Sequence, residues 1–225
     1  MRAGEARTPA GRAALEELCR IYWYPLYWFA RRRGLSPPDA EDLTQGFLAD
    51  LLARDAVAQA DATRGRFRSF LLASFQNFHS HQQARAATVK RGGGCEFVSL
   101  QALQEAESRF QEEPVSADSP EKAFDRTWAM RLIEQAVAAV RHEYAAVGKE
   151  PLFDALKAVL WGGREAGNYG EIGQRLGSTE SAIKMAAYRL RRRFGEALRS
   201  EVAKTVVDAA DLEDEMRHLL AAVSL

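Results

Sequence analysis

The chain of 225 residues is long enough to bury a core. Its composition, with 47% hydrophobic and 28% charged residues, excludes a low-complexity or collagen-like protein. There is no run of about 20 apolar residues and no apolar core of a secretory signal at the N-terminus, so we expect a cytoplasmic protein without a membrane partner. The formal net charge is zero, and Cys19 and Cys95 lie in unrelated contexts, which argues against a disulfide framework.

The charges are grouped along the chain. Residues 60–94 contain six Lys or Arg against one Asp or Glu, and residues 164–199 contain eight against four. Residues 95–125 contain two Lys or Arg against eight Asp or Glu, and residues 200–225 contain two Lys or Arg against six Asp or Glu. Separate basic blocks are typical of contacts with polyanions, so we expect two such contacts.

A first helical lobe is predicted at residues 13–90, after a disordered N-terminus at residues 1–12. Residues 13–33 have the apolar spacing of a helix, which we expect to bend or restart at Pro25 and to end at Gly34. The aromatic run in this helix would also suit a membrane surface. Its amphipathic neighbours along the chain favour packing within a lobe instead.

Two further helices are predicted in this lobe. The stretch "LSPPDAEDLTQGFLADLLAR" begins with Ser36 as N-cap, followed by prolines and acids in the first turn. Its apolar face consists of Ala40, Leu43, Phe47 and Leu51. The helix at residues 66–87 places on one stripe Phe67, Phe70, Leu71, Ser74 and Phe78. The three apolar faces can be buried against one another.

An acidic linker is predicted at residues 91–120, because "RGGG", Pro114 and like charges oppose compaction. Within it only "SLQALQEAESRF" keeps a helical spacing, which predicts one short helical turn. Helical periodicity resumes in residues 121–200. A stripe there consists of Trp128, Leu132, Ala136 and Val140. The sequence shows neither strand-like alternation nor a repeat. We therefore predict an all-α fold of two small helical domains joined by the acidic linker.

The stretch "NYGEIGQRLGSTESAIKMAAYRLRRRF", residues 168–194, predicts a helix-turn-helix. Asn168 can cap the first helix, and Gly177 permits the left-handed conformation that ends it. Ser178 or Thr179 can then cap the second helix. A short turn containing glycine between two helices is typical of this motif.

The second helix of this motif has two contrasting faces. A narrow apolar stripe, which we expect to be buried, consists of Ile183, Ala187, Leu190, Phe194 and Leu198. The opposite face consists of Ser181, Lys184, Met185, Tyr188, Arg189 and Arg192. Hydroxyl, aromatic and cationic groups on one face suit a DNA major groove. The alternative is a surface helix whose arginines are simply solvated.

Two parts of the chain resemble one protein family. "YGEIGQRLGSTESAIKMAAYRLRRRFGEAL" resembles the promoter-recognition domain of bacterial sigma factors of the extracytoplasmic-function type. "DAEDLTQGFLADLL" followed by "RFRSFLLASFQNF" resembles the other conserved domain of that family, which grips core RNA polymerase and opens the promoter. The resemblance covers residues 13–90 and 120–200, in the family's order. It implies a factor that directs promoter-specific transcription initiation without catalytic residues or a cofactor.

The resemblance implies three groups of contact residues. For the minus-thirty-five element these are Ser178, Thr179, Ser181, Lys184, Met185, Tyr188, Arg189 and Arg192. For the opened minus-ten strand they are Arg66, Arg68, Gln76, Asn77, His79 and Arg85. For the coiled coil of the largest polymerase subunit they are Asp39, Glu41, Asp42, Leu43, Gln45 and Phe47. The flap of the second polymerase subunit is a further partner. "HSHQQAR" departs from the family's more basic run, which leaves the minus-ten preference open.

Other interpretations use the same residues. The acids that begin the second helix would stabilise its N-terminus even without a polymerase contact. His79 and His81 diverge by about 200° on a helix and have no third ligand nearby, so we predict no metal site. A helix-turn-helix regulator that does not replace a sigma factor is the alternative function. A nucleic-acid enzyme is disfavoured, because the sequence shows no catalytic motif.

The acidic segments have two interpretations each. The linker is a plain tether or, as in the family, threads the polymerase cleft. Residues 201–225 form an acidic amphipathic helix with an apolar stripe at Leu212, Met216, Leu219 and Leu220. That helix caps the core of the second lobe, or it is regulatory and docks an anti-sigma factor. A Ser/Thr kinase acting on Thr44 or Thr63 would tune docking on the polymerase.

Overall fold

The computed structural model describes residues 9–53, 67–86, 100–112, 119–161, 168–206 and 208–224. Within these ranges all regular elements are helical, which confirms the all-α class. The α-helices are α1 Pro9–Arg32, α2 Pro37–Ala53, α3 Phe67–Ala86, α4 Leu100–Glu112, α5 Pro120–Ala146, α6 Glu150–Leu156, α7 Tyr169–Arg175, α8 Glu180–Ala203 and α9 Leu212–Val223. Short 3₁₀ segments lie at Lys157–Trp161 and Ala209–Asp211. None of the helices in the described ranges has the length and apolarity to cross a membrane.

The described residues group into two compact units. Unit 1 comprises residues up to Arg131 together with those from Ala203 onward, and unit 2 comprises Leu132–Val202. The predicted boundaries differ from this division, because the start of α5 up to Arg131 groups with unit 1, as do α4 and α9. This grouping of α9 does not agree with one of its two interpretations, in which it caps the second lobe.

Aromatic side chains form much of the core of unit 1. The ring of Tyr22 on α1 lies 5.8 Å from Phe67 on α3 and 6.4 Å from Phe124 on α5. On α2, Phe47 packs edge-on against Phe75 of α3, with 5.2 Å between the ring centroids. Such edge-to-face pairs add specific geometry to the burial of large apolar areas. The core of unit 1 is thus built where α1, α2, α3 and α5 meet.

The predicted apolar stripes are confirmed on α2 and α5 and are corrected on α3, α8 and α9. On α8 the side chain of Phe194 is only half-buried. All four apolar positions of the α2 face are buried. On α3 the side chains of Phe70, Ser74 and Phe78 are only half-buried, and Phe75 is buried instead. On α9 the side chain of Leu220 is 52% exposed, so the stripe there is narrower than predicted.

Helix α1 is continuous across Pro25, whereas we expected a bend or restart. Proline removes one helical hydrogen bond and crowds the preceding turn. Here Ile21, Leu26 and Phe29 are all buried around the proline, so packing holds the helix together. The helix also begins at Pro9, which corrects the prediction of disorder for residues 9–12. Residues 1–8, also predicted to be disordered, lie outside the described residues.

The predicted linker contains a helix of 13 residues, α4, which is longer than the one short turn that we expected there. The carboxylate of Glu107 accepts hydrogen bonds from Arg31 Nε and Nη2 at 3.0 and 2.8 Å and from the Tyr27 hydroxyl at 2.6 Å. Phe110 packs edge-on against Trp28 at 5.9 Å. The hydrogen bonds from α1 give the Glu107 carboxylate partners within the protein. In the sequence this residue belongs to an acidic segment that we expected to be solvated. The remaining linker residues, 91–99 and 113–118, lie outside the described part of the chain.

The attachment of α4 is expected to depend on pH. The guanidinium of Arg31 donates to Glu107 and lowers the pKa of that carboxyl below its usual 4.5. A lowered folded-state pKa gives stabilisation that is complete above the unfolded value and is lost as pH falls through the folded one. We therefore expect acid titration below about pH 4.5 to release α4. A change in Trp28 fluorescence would report this release. Glu107→Gln should remove this transition, and Glu17→Gln, which changes a partly exposed acid on α1, should retain it.

Candidate nucleic-acid interface

The turn between α7 and α8 is built by local hydrogen bonds. The Asn168 side-chain oxygen accepts from the backbone amide of Glu171 at 3.2 Å, which caps α7. Gly177 has φ of 62°, the left-handed conformation that ends the helix. The Thr179 hydroxyl accepts from the amide of Ala182 at 3.2 Å and caps α8. All three local roles agree with the sequence predictions.

Gly173 allows α7 to approach the backbone of this turn closely. A Cβ atom placed on Gly173 would lie 2.7 Å from the carbonyl oxygen of Ser178. The Ser178 amide in turn donates to the Gly173 carbonyl at 2.8 Å. The contacting atoms belong to the backbone, so a side chain at this position would push the two helices apart. The absence of a side chain at Gly173 therefore fixes how α7 meets the start of α8.

The side of α8 away from its core stripe is the α8 outer face, defined by Ser181, Lys184, Met185, Tyr188, Arg189 and Arg192. All six side chains are exposed, and Ser178 and Thr179 in the preceding turn are exposed as well. Met185 is 49% and Tyr188 is 60% exposed. On the opposite side Ile183, Ala187 and Leu190 are buried. Exposed methionine and tyrosine beside cations form a surface able to contact both base edges and phosphates.

The cations of α8 differ in how strongly they are already paired. Arg193 makes two hydrogen bonds of 2.6 Å with the carboxylate of Glu143. Arg192 pairs with Glu196 at 3.1 Å. Arg189 makes no ion pair or hydrogen bond with any residue in the described ranges. The Arg189 guanidinium is therefore the more available one for a phosphate or a guanine.

Arg189→Ala is expected to weaken duplex DNA binding by about 1–3 kcal/mol and to reduce the salt dependence by about one phosphate contact. Arg192→Ala should have a smaller effect, because its guanidinium must first leave Glu196. Fluorescence anisotropy of the full chain with a labelled duplex, at several salt concentrations, measures both quantities. Equal losses of DNA affinity for the two variants would show that the ion pair with Glu196 does not make Arg192 less available to DNA.

The residues predicted to contact the opened strand are not brought together on one face of α3. Asn77 is exposed, whereas Gln76 and His79 are half-buried. Burial, together with the nearby cation of Arg33, lowers the pKa of His79. Arg66 and the side chain of Arg85 lie outside what the structure describes.

Arg68 corrects the sequence prediction, because its side chain is only 2% exposed and faces the core of unit 1. Its Nε donates to Asp125 of α5 at 2.8 Å, and its Nη1 donates to Glu215 of α9. His218 of α9 contacts the other Asp125 oxygen at 3.0 Å. We call these four residues the Arg68 cluster. In this arrangement the guanidinium of Arg68 cannot contact a phosphate.

The Arg68 cluster sits among buried aromatic rings. The guanidinium of Arg68 lies 4.9 Å from the centre of the Trp128 ring. Burial and the carboxylate of Glu215 raise the pKa of Tyr22. A buried cation with two carboxylates avoids the large penalty of an unpaired buried charge. The sequence analysis did not identify Asp125, Glu215 and His218, because no neighbouring residues in the sequence indicate that they belong to this cluster.

Few buried groups attach α9 to unit 1. Among the described side chains of this 12-residue helix, Glu215 and Leu219 are the buried ones. Full burial of a leucine contributes about 1.5–3 kcal/mol. A buried ion pair contributes little net stability, because its attraction is offset by desolvation. The contact of half-buried His218 with Asp125 at 3.0 Å adds to this attachment. A helix of this length has little stability by itself, so it depends on such contacts.

Acidic side chains of helix α2 are exposed to solvent, whereas the apolar residues predicted to contact the polymerase are buried. Asp39 and Asp42 are exposed, and Glu41 is half-buried and accepts from Gln45 Nε2 at 2.9 Å. Leu43 and Phe47 are 4% and 3% exposed. Three of the predicted polymerase contacts, Leu43, Gln45 and Phe47, therefore belong to the core of unit 1 in this structure. The available surface of α2 is acidic.

Thr44 is fully buried, and its hydroxyl donates to the Ala40 carbonyl at 2.7 Å. A kinase could not reach this hydroxyl in the folded chain, which argues against phosphorylation at Thr44. Thr63, the other residue predicted for that modification, lies outside the described ranges.

A groove of about 460 Å³ runs along unit 2. Its apolar lining includes Tyr144, Val147, Leu152 and Ala186. Val147 is 64% exposed, so an apolar side chain at the groove is accessible to a partner. Basic groups of α8 form one edge of the groove. The groove thus offers an apolar floor with a partly cationic rim.

Comparisons of the chain with protein-family models, with curated proteins and with solved structures find no match.

Proposed function

We propose that the chain is an alternative sigma factor of the extracytoplasmic-function type. In this proposal it binds core RNA polymerase and directs initiation at promoters with defined minus-thirty-five and minus-ten elements. The observation that carries the proposal is the α7–α8 pair, which combines a capped tight turn with an exposed cationic and aromatic face. The order of the two sequence motifs along the chain supplies the second reason.

In this proposal α7 and α8 form a helix-turn-helix that lies across duplex DNA. The α8 outer face enters the major groove at the minus-thirty-five element. Arg189 contacts a phosphate or the acceptor edge of guanine, and Met185 and Tyr188 supply apolar contact with thymine methyl groups. Ser178 and Thr179 lie near the N-terminus of α8, where backbone amides attract phosphate.

The α2 surface serves the polymerase in this proposal. Asp39 and Asp42 remain exposed in the folded chain, so they are available to a basic partner helix. Phe47 and Leu43 would act indirectly, by holding α2 on α3. The coiled coil of the largest polymerase subunit is the partner implied by the family resemblance.

The opened minus-ten strand would lie on α3 near Asn77. Unstacked bases need hydrogen-bonding groups and aromatic surfaces, and the half-buried Phe70 and Phe78 on the same helix offer the latter. The groove of unit 2 would receive an apolar segment of the second polymerase subunit's flap. Its exposed Val147 and half-buried Leu152 support that assignment.

A reconstituted transcription assay tests the proposal. The purified chain is mixed with core polymerase and a promoter library, and the transcripts are sequenced. We expect initiation at a defined set of promoters that requires both the chain and core polymerase. Sequence-specific DNA binding without stimulation of core polymerase would favour the alternative, a helix-turn-helix regulator that does not replace a sigma factor.

A further inference from the structure

Arg191 of α8 is held in place by a neutral group. Its Nε donates to the backbone carbonyl of Val159, in the 3₁₀ segment Lys157–Trp161, at 3.2 Å. Its Nη1 and Nη2 atoms make no hydrogen bond or ion pair with any described residue. We propose that Arg191 is a phosphate contact positioned by the Val159 carbonyl, on the DNA strand that lies across α8 from Arg189. This inference rests on the proposed function, which places α8 in the major groove.

The 3₁₀ segment gives Arg191 a firm support. The side chain of Val159 is 1% exposed, and Leu156 just before the segment is fully buried. Trp161 packs edge-on against Phe194 of α8, with 6.2 Å between the ring centroids. These contacts fix the Val159 carbonyl relative to α8. A guanidinium that is already oriented loses less conformational freedom on binding a phosphate than an unsupported one.

The carbonyl that holds Arg191 leaves its positive charge unbalanced. The next two arginines of α8 are instead bonded to carboxylates. Arg192 donates to Glu196 at 3.1 Å, and Arg193 donates to Glu143 at 2.6 Å. A carbonyl accepts a hydrogen bond without cancelling the charge of a guanidinium, which stays protonated in proteins. Arg191 therefore keeps its charge and its Nη1 and Nη2 donors for an acceptor of matching charge and geometry, such as phosphate.

Arg191 and Arg189 lie on opposite edges of the α8 outer face. Residues two apart on an α-helix differ by about 200°, so the shorter way round from Arg189 to Arg191 is about 160°. That sector contains Tyr188 and Arg192 of the outer face. A helix about 10–12 Å wide fills a major groove about 12 Å wide, so a phosphate backbone runs along each of its sides. Long cationic side chains on the two edges therefore face different strands.

Arg191→Ala in the full chain is expected to weaken binding of a labelled duplex, selected by the chain from the promoter library, by about 10-fold. The slope of log affinity against log salt should become less steep by about 0.9, the value for one phosphate contact on duplex DNA. Arg191→Lys keeps the positive charge, so its slope should stay near that of the wild type. Arg141→Ala removes an exposed cation of α5 that is paired with Glu150 at 3.0 Å, and should leave affinity and slope unchanged. If Arg191 only tethers the 3₁₀ segment, the slope will not change for either Arg191 variant, which would overturn the inference.

Neutral methylphosphonate linkages, placed in the selected duplex on one strand at a time, identify the strand that Arg191 contacts. We expect the loss of affinity caused by Arg191→Ala to disappear when one of the two strands is neutral. The loss caused by Arg189→Ala should persist on that same duplex. Persistence of the Arg191→Ala loss on both neutralised duplexes, or disappearance of both losses on the same one, would overturn the inference and leave the proposed function standing. Failure of the wild-type chain to bind any duplex of the library would contradict the proposed contact of α8 with DNA, and the inference with it.

Discussion

Arg68→Ala is expected to lower the free energy of unfolding of unit 1 by about 3–5 kcal/mol. The substitution leaves Asp125 and Glu215 without their shared cation, and Glu215 is only 6% exposed. It also removes the guanidinium that packs over the Trp128 ring. Breaking a buried pair from one side is costly because the remaining charge stays desolvated.

Urea unfolding followed by tryptophan fluorescence measures this loss. The Trp161→Phe background confines the signal to unit 1, because the other tryptophans, Trp23, Trp28 and Trp128, all lie there. Arg20→Ala is the matched control. Arg20 is exposed and pairs with Glu17 on the surface, so we expect a change within about 0.5 kcal/mol. A similarly small change for Arg68→Ala would contradict this prediction and mean that neither carboxylate is left desolvated without Arg68.

Gly173→Ala is expected to destabilise unit 2 by about 1–3 kcal/mol and to weaken duplex DNA binding. Alanine has the better helix propensity by about 0.5–1 kcal/mol, so propensity alone predicts stabilisation. The added Cβ would lie 2.7 Å from the Ser178 carbonyl oxygen, and backbone atoms cannot move aside at little cost. Overpacking should therefore outweigh propensity and misplace α8.

Gly195→Ala is the matched control for this prediction. It lies on α8, and a Cβ there would meet no atom within 4 Å. We expect it to stabilise unit 2 by about 0.5–1 kcal/mol and to leave DNA affinity unchanged. Hydrogen exchange of α7 and α8 amides reports stability for both variants. The same sign of effect for Gly173→Ala and Gly195→Ala would show that the close approach of α7 to the turn is not tight.

Features set by short stretches of chain could be predicted from the sequence. Asn168, Gly177 and Thr179 each act on a backbone group within a few residues, so the residue type and spacing suffice. The same holds for Ser36, whose hydroxyl oxygen lies 3.4 Å from the amide of Asp39 at the start of α2. The exposed side of α8 followed from its apolar stripe, since a helix with one buried face must expose the other.

Features set by tertiary contacts could not be predicted in this way. Pro25 opposes helix locally, and only the buried neighbours on α1 explain why the helix continues. Helix α4 is stabilised by the bonds from α1 to Glu107, which lies 76 residues from Arg31. Hydrophobic periodicity carries no information about such distant partners.

The burial of Arg68 is a feature that residue spacing alone could predict. Arg68 precedes Leu71, Leu72 and Phe75 by three, four and seven positions, so it lies on the buried stripe of α3. The family resemblance instead implied that it contacts the opened minus-ten strand. Its partners Asp125 and Glu215 lie 57 and 147 residues away, and the sequence gives no means of pairing them.

The central claim is that α2 and α8 serve different partners. The most direct test compares Asp42→Ala and Arg189→Ala in the full chain, each of which removes one exposed charge. Both variants are assayed for retention on immobilised core polymerase and for affinity to duplex promoter DNA. We predict that Asp42→Ala reduces retention alone and that Arg189→Ala reduces duplex affinity alone. The same defect for both variants in both assays would contradict the account.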